Sequence, residues 1–234
     1  MKKRSDALSC LDTSFVEILE RKRIKVFNIF NKVQNIFKQN QTNMSSICDS
    51  FPKELEEDVL AVLKIIPPKM PSDPDIVLSV NKNEYRLSCE IVSIPYRIYV
   101  IEPLDKEISQ LTDIQKLILY CIYTRNSNGY LREKYIKKIL TSPFEEWCIP
   151  FIVKLCDEYV IEILYAIYDS LKIRNNDDIK SFCIENKSLV CKSYSRMVSY
   201  WNEYYRAENY DIRKYIGRKL FRECMGYNRD FEKK

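Results

Sequence analysis

The chain has 234 residues, 46% of them hydrophobic and 30% charged, which is long enough for one large domain with a real core. It carries a net charge of +5, only three glycines and no histidine. Few glycines disfavour hairpin-rich all-β folds and phosphate-cradling loops. The missing imidazole excludes Ser-His and Cys-His nucleophile pairs and disfavours an enzyme, so we assign no catalytic residue, no metal site and no cofactor.

The charge is unevenly distributed along the chain. Nine Lys or Arg against four Asp or Glu give residues 1–40 a charge of +5, and eleven against six give residues 192–234 the same. The middle, residues 41–191, therefore carries −5. Basic ends on an acidic body indicate self-docking or an acidic partner more than a surface uniformly coated by nucleic acid.

The first predicted element is an amphipathic helix over residues 12–38. Its apolar residues recur at three- and four-residue spacing and form a candidate partner-docking face of Phe15, Leu19, Val26, Ile29, Val33 and Ile36. We predict residues 1–40 as a basic N-terminal arm, 41–50 as a polar linker and 51–234 as a single helical domain. A core helix of the same domain and a helix lying on a membrane surface are the alternatives for the arm.

A second helix is predicted to open at Pro52 and to end at the proline-rich stretch 67–74. From Ile76 onward apolar residues alternate with a period of two. The segments IVLSV and EYRLSCEI, separated by NKN (81–83), predict a β-hairpin, and IPYRIYVIEP (94–103) predicts a third short strand.

From Thr112 onward the pattern is helical. Capping-box patterns at 112–115 and 142–145 predict two helix starts. We predict helices near 112–124, 130–140, 143–171 with a kink or restart at Pro150, 177–186, 188–207 and 212–225. The predicted fold class is mainly α (α+β), a helical bundle with a small inserted antiparallel β-sheet near residues 76–101.

Two stretches have features of nucleic-acid binders. The segment 119–140 predicts two helices joined by a short turn, as in a helix-turn-helix. Its second helix offers the candidate nucleic-acid contacts Arg132, Lys134, Lys137 and Lys138. In the segment 193–210, one helix face consists of Tyr194, Val198, Trp201 and Tyr205, and several arginines lie nearby. Aromatic side chains interleaved with arginines stack bases in proteins that bind single strands. Both patterns also occur in ordinary bundles, where such residues pack in the core.

The segment WCIPFIVKLCDEYVIEIL (147–164) is an apolar run in which Glu158 and Glu162 share one face of a continuous helix. Buried carboxylates must be paired, protonated or bound to a cation. A metal site would need further ligands and an acid/base pair would need a cleft, so we favour pairing with arginines. The predicted buried charge network comprises Arg97, Arg125, Arg132, Glu158, Glu162 and Arg206.

Motifs over about residues 94–220 resemble those of a bacterial-type protein family whose function is uncharacterised. The clearest similarities lie in TRNSNGYLR (124–132), W-x-x-P-F (147–151), EYVIEI (158–163) and SYWNEYYR (199–206). The first is similar to the pattern T-R-H-x-D-G-x-x-R, from which this chain departs at Asn126 and Asn128. If that His is reactive in the family, the resemblance implies that this chain lacks its chemistry. The resemblance implies a single domain and carries no activity.

The leading functional hypothesis is a non-enzymatic interaction or scaffold protein that docks through its N-terminal helix on a protein partner or a second copy. The second is a nucleic-acid binder that uses residues 112–140 or the aromatic and basic C-terminal helices. The third is a carboxylate enzyme that uses Glu158 or Glu162. Nine scattered cysteines without a CxxC pair indicate reduced thiols in an intracellular compartment, and we predict no membrane span.

Overall fold

The computed structural model describes residues 46–67, 77–79, 81–143 and 145–231. The α-helices are α1 (Glu56–Leu63), α2 (Asp105–Ser109), α3 (Asp113–Tyr123), α4 (Gly129–Thr141), α5 (Ile149–Leu155), α6 (Ile161–Leu171), α7 (Asp177–Glu185), α8 (Lys187–Tyr200) and α9 (Ile216–Lys219). The strands are β1 (Val77–Leu78), β2 (Lys82–Leu87), β3 (Glu90–Pro95) and β4 (Ile98–Tyr99). The predicted class, mainly α with a small antiparallel β-sheet, is confirmed.

The predicted N-terminal arm and its docking face, from Phe15 to Ile36, lie outside the described residues and stay predictions. The end of the predicted linker is part of the folded domain. Ile47 is buried, and the hydroxyl of Ser50 donates a hydrogen bond to the carbonyl oxygen of Ser93 at 2.8 Å. A polar composition therefore did not keep residues 46–50 away from the core.

The described strands form two separate two-stranded antiparallel sheets rather than the predicted arrangement. β2 pairs with β3 through a turn at Ser88 and Cys89, and β1 pairs with β4. Ser88 has φ +51°, the left-handed conformation that such a tight turn needs. The predicted turn at 81–83 was wrong, because no glycine or asparagine marks the true turn and NKN resembles one more closely.

The helices pack in sequence around one core. α1 packs on α3, α3 on α4 and α4 on α6, and the apolar side chains on their inward faces are buried. The N-cap of α3 is the predicted capping box, in which Thr112 and Gln115 bond each other's backbone N–H groups. The second predicted box is wrong, since the Ser142 hydroxyl instead donates to the carbonyl oxygen of Lys138 within α4.

The predicted long helix over 143–171 breaks in a different place from Pro150. Pro150 lies in the first turn of α5, where its missing N–H leaves no helical bond unmade. The chain leaves the helix after Leu155 and resumes it at Ile161, so residues 156–160 form an irregular connection. Glu158 and Glu162 therefore do not share a helix face, which corrects the premise on which they were grouped.

The C-terminal helices close the bundle on the side of this connection. α8 continues into a π-helical turn, Trp201–Tyr205, and α9 crosses close to α8. At Gly217 in α9 a Cβ atom would come within 2.8 Å of the Met197 Cγ atom, so only glycine permits this approach. Among the residues that the structure describes, no helix has both the length and the apolar character that a membrane crossing needs.

Candidate functional site

The carboxylate of Glu158 is the centre of a buried ion network. Its side chain is only 3% exposed, and Arg97 Nη2 lies 2.9 Å from Oε1 while Arg132 Nη2 lies 3.2 Å from Oε2. Arg125 Nη2 approaches Oε1 at 3.9 Å. Three guanidinium groups from separate parts of the fold thus converge on one carboxylate, which neutralises a charge that could not otherwise be buried.

The two innermost arginines are also fixed by backbone carbonyl groups. Arg125 donates from Nη2 to the Tyr96 carbonyl oxygen at 2.7 Å, and Arg132 donates from Nη1 to that of Asn126 at 3.0 Å. Both arginines are buried, one just after α3 and the other in the first turns of α4. Their heads cannot move towards solvent without breaking these bonds.

Asparagines stand where the resembling pattern has His and Asp, and both have structural roles here. Asn126 is buried and donates from Nδ2 to the Val100 carbonyl oxygen at 2.9 Å. Asn128 is the N-cap of α4 and accepts from the Tyr130 N–H at 3.0 Å. The side chains of Asn126 and Asn128 therefore contact backbone groups rather than a cleft. The turn that they stabilise positions Arg125 and Arg132.

A second buried carboxylate stands next to the first in the same connection. Asp157 lies 3.2 Å from the ammonium group of Lys154 and 2.8 Å from Nη1 of Arg196, which projects from α8. Lys154 is fully buried, whereas the Arg196 side chain is 32% exposed. The Asp157 ion pairs thus run from the interior to the surface.

The ring of Tyr96 connects the ion pairs of Glu158 with those of Asp157, because cations from both groups lie over it. Lys154 Nζ lies 4.5 Å from the ring centroid, and the guanidinium carbons of Arg196 and Arg97 lie 5.0 and 5.3 Å from it. Such cation–π contacts attract each cation to the electron-rich ring face. We call the following seven residues, together with Tyr96, the charged cluster: Arg97, Arg125, Arg132, Lys154, Asp157, Glu158 and Arg196.

Positive charge exceeds negative charge in this cluster. Burial lowers the pKa of the Arg125 guanidinium to about 10 and that of the Lys154 ammonium to about 8. Both groups are therefore still largely protonated at neutral pH. Five cations face two carboxylates among the described residues, a net charge of +3 in a mostly buried volume.

The cluster meets solvent at one edge, formed by Arg97 and Arg196. The Arg97 side chain is 18% exposed, and Tyr96 between the two arginines is half-buried. Deeper in the fold, the Nε atom of Arg132 and the hydroxyl of Tyr85 have no hydrogen-bond partner among the described residues. Burial, followed by the nearby Asp157, raises the pKa of the Tyr85 hydroxyl, which keeps it protonated.

The structure brings together four residues of the predicted charge network and leaves two outside. Arg97, Arg125, Arg132 and Glu158 are in contact, while Glu162 is exposed at the start of α6. Arg206 is also exposed and bonds to Asn202. Sequence reasoning did not include Lys154, Asp157, Arg196 and Tyr96. The available signal was the Lys154–Asp157 spacing of three inside an apolar run, which allows the two side chains to pair on a helix.

The predicted nucleic-acid contacts on α4 are engaged within the protein. Arg132 is buried against Glu158, so its guanidinium cannot reach a nucleic acid. Lys134 pairs with Glu102 at 2.5 Å and Lys137 with Glu133 at 2.5 Å, while Lys138 lies over the rings of Tyr120 and Tyr135. These arrangements neutralise much of the basic face that a recognition helix would present.

The predicted aromatic stripe of α8 faces the core. Tyr194 stacks on Tyr227 with centroids 4.1 Å apart, and Val198, Trp201 and Tyr205 pack against core residues. A second group of tyrosines lies on a neighbouring face, where Tyr159 and Tyr204 are exposed and Tyr200 is half-buried. Ring centroids 5.9 to 6.1 Å apart define a tyrosine patch of Tyr159, Tyr200 and Tyr204.

The geometry gives less support to a metal site. Within the described ranges, no three His, Cys, Asp or Glu side chains form a group that could hold a metal ion. Comparisons with protein-family models, curated proteins and solved structures give no match.

Proposed function

We propose that this protein binds a phosphate-bearing anionic ligand at the exposed edge of the charged cluster, between Arg97 and Arg196. The observation that carries the proposal is the imbalance of five cations against two carboxylates. Burying a cation costs several kcal/mol of desolvation free energy, and the attraction of a paired carboxylate offsets much of that cost. A cation without such a partner has no comparable offset. An external anion at the edge offsets that cost.

The chemistry of the edge suits phosphate. A guanidinium presents a planar fork of N–H donors that matches two phosphate oxygens, and the half-buried Tyr96 lies between two such forks. The buried cations behind the edge hold the local potential positive without being reached by solvent. Three of the five cations in the described cluster have no matching carboxylate, so an anion at the edge would add the missing counter-charge.

The other hypotheses draw less support from the described residues. Docking through residues 1–40 stays a proposal, since none of those residues is described. An enzyme that uses Glu158 or Glu162 stays a proposal, with Glu158 held by three arginines and Glu162 exposed on α6. A helix-turn-helix requires free basic side chains that α4 does not offer among its described contacts.

The test is isothermal titration calorimetry with inorganic pyrophosphate at constant low ionic strength. The Arg196→Gln variant removes one exposed fork but leaves Asp157 paired with Lys154, so the fold is retained. We expect binding by the unmodified protein and a loss of about tenfold or more in the variant, from a charge-assisted hydrogen bond worth roughly 1.5–3 kcal/mol.

Arg213→Gln is the matched control, because Arg213 is an exposed arginine paired only locally with Asp211 at 2.9 Å. It removes the same charge from the chain and leaves the cluster intact. Circular dichroism checks that all three proteins are folded. Equal pyrophosphate affinity in the two variants, or no binding by the unmodified protein, would refute the proposed site.

A further inference from the structure

The tyrosine patch lies directly beside the charged cluster. Tyr159 follows Glu158 in the chain, and the Arg132 guanidinium carbon lies 5.9 Å from the Tyr159 ring centroid. Tyr200 is one helical turn beyond Arg196 on α8, so the two side chains share a face. The patch and the cationic edge are therefore one continuous surface.

The connection that carries Tyr159 is held in place, while the Tyr159 and Tyr204 rings are exposed and the Tyr200 ring is half-buried. The Tyr205 hydroxyl donates to the Tyr159 carbonyl oxygen at 2.5 Å, which ties the connection 156–160 to the end of α8. Tyr159 is 44% exposed and Tyr204 is 59% exposed. Large aromatic side chains usually bury most of their surface, so fixed and exposed rings indicate a ligand-binding surface.

We infer that the ligand is a nucleotide whose base stacks on the tyrosine patch while its phosphate is held at the Arg97–Arg196 edge. The inference rests on the proposed phosphate site and adds the class of ligand. Nucleotides combine one anionic group with one flat aromatic group, which are the two chemistries that this surface places side by side. Tyrosine rings stack on any base, so sequence selectivity is not required.

The charge of the surroundings separates this ligand from the other usual occupant of an aromatic surface. Clusters of tyrosine rings also bind quaternary ammonium groups by cation–π attraction. Here the adjacent cluster carries a net +3 and Arg132 already lies over Tyr159, so a cationic ligand is repelled. An anionic ligand with an aromatic group is attracted by both parts.

The experiment measures fluorescence anisotropy with three labelled probes on the full chain. The first is a single-stranded oligothymidylate about 12 nucleotides long, within usual site sizes for single-strand binders. The second is an abasic strand with the same number of phosphates, and the third is a mononucleotide. We expect the oligothymidylate to bind at least about tenfold more tightly than the abasic strand, because only it can stack. Binding of the mononucleotide as tightly as the oligothymidylate assigns the site to free nucleotides, and weaker binding assigns it to a strand.

The variants Tyr200→Leu and Tyr204→Leu remove the ring faces and keep an apolar side chain. Each is expected to weaken oligothymidylate binding about tenfold and to leave the affinity for inorganic pyrophosphate unchanged. Tyr210→Leu is the matched control, since Tyr210 is 82% exposed and lies outside the patch. It is expected to bind all probes as the unmodified protein does.

The outcomes distinguish this inference from the proposed function. Equal binding of the oligothymidylate and the abasic strand, with pyrophosphate still bound, overturns the nucleotide and leaves the phosphate site standing. Binding of choline that is lost in Tyr204→Leu also overturns it. If neither pyrophosphate nor any strand binds, both proposals fail.

Discussion

The charged cluster and the outer face of α4 are both rich in lysine and arginine, but they use these residues differently. On α4, Lys134 and Lys137 each pair with one partly exposed glutamate, and the charges cancel locally at the surface. In the cluster the cations are mostly buried, share carboxylates and outnumber them. Burial and charge balance, rather than the count of basic residues, therefore distinguish a surface with paired charges from a cluster with excess positive charge.

The largest expected effect on the free energy of unfolding comes from replacing Glu158. Glu162, which was grouped with it in the sequence, is the comparison. Glu158→Gln leaves three arginines around a neutral side chain, so we expect a loss of about 3–5 kcal/mol in the free energy of unfolding. Glu162→Gln changes an exposed side chain, and we expect a change within about 0.5 kcal/mol. Urea unfolding of both variants measures the contrast, and similar losses in the two would show that the cluster does not stabilise the fold.

A smaller effect, on the order of 2 kcal/mol, concerns Lys154 and pH. Burial lowers its folded-state pKa to about 8 from an ordinary value of 10.5, although Asp157 opposes the shift. Between these pH values the unfolded chain binds more protons than the folded one, so this residue's contribution to stability rises with pH. Below about pH 8 the cost of burying the ammonium is fully present.

The comparison with Lys154→Met isolates this contribution, because buried cysteines and tyrosines with raised pKa values act in the opposite direction in both proteins. We expect the unfolding free energy of the unmodified protein to rise relative to the variant from about pH 8 to about pH 10.5. A pH-independent difference would contradict the buried, protonated lysine.

The smallest effect is expected on α4. Lys137→Gln removes an exposed i,i+4 pair with Glu133 and should cost at most about 0.5 kcal/mol. It should also leave pyrophosphate affinity unchanged, although it removes the same charge as Arg196→Gln. Calorimetry on the two variants therefore shows whether position or net charge governs anion binding, and a matching loss in Lys137→Gln would favour net charge.

The sequence predicts most of the helices because apolar residues recur with helical spacing and the ends carry caps, as at Thr112. The hairpin turn at Ser88 is missed because its residues carry no turn signature, and a positive φ cannot be read from serine. The break at 156–160 is missed for another reason. Apolar periodicity continues through it, so the run looks like one helix although Asp157 and Glu158 pair with distant residues.

The candidate site depends on these missed features more than on the predicted ones. The arginines that flank the TRNSNGYLR turn could be anticipated as partners of Glu158. Arg196 and Tyr96 could not, because they meet Asp157 and Lys154 only through the fold. Sequence patterns within one element cannot predict such contacts between elements.

The exposed edge of the charged cluster is proposed to bind an anion. Thermal unfolding tests this binding most directly when pyrophosphate is compared with chloride at equal ionic strength, for the unmodified protein and for an Arg97→Gln, Arg196→Gln double variant. A ligand that binds only the folded state raises the unfolding temperature, so we predict a rise with pyrophosphate in the unmodified protein and none in the double variant. The same rise in both proteins, or no rise in either, would contradict anion binding at this edge.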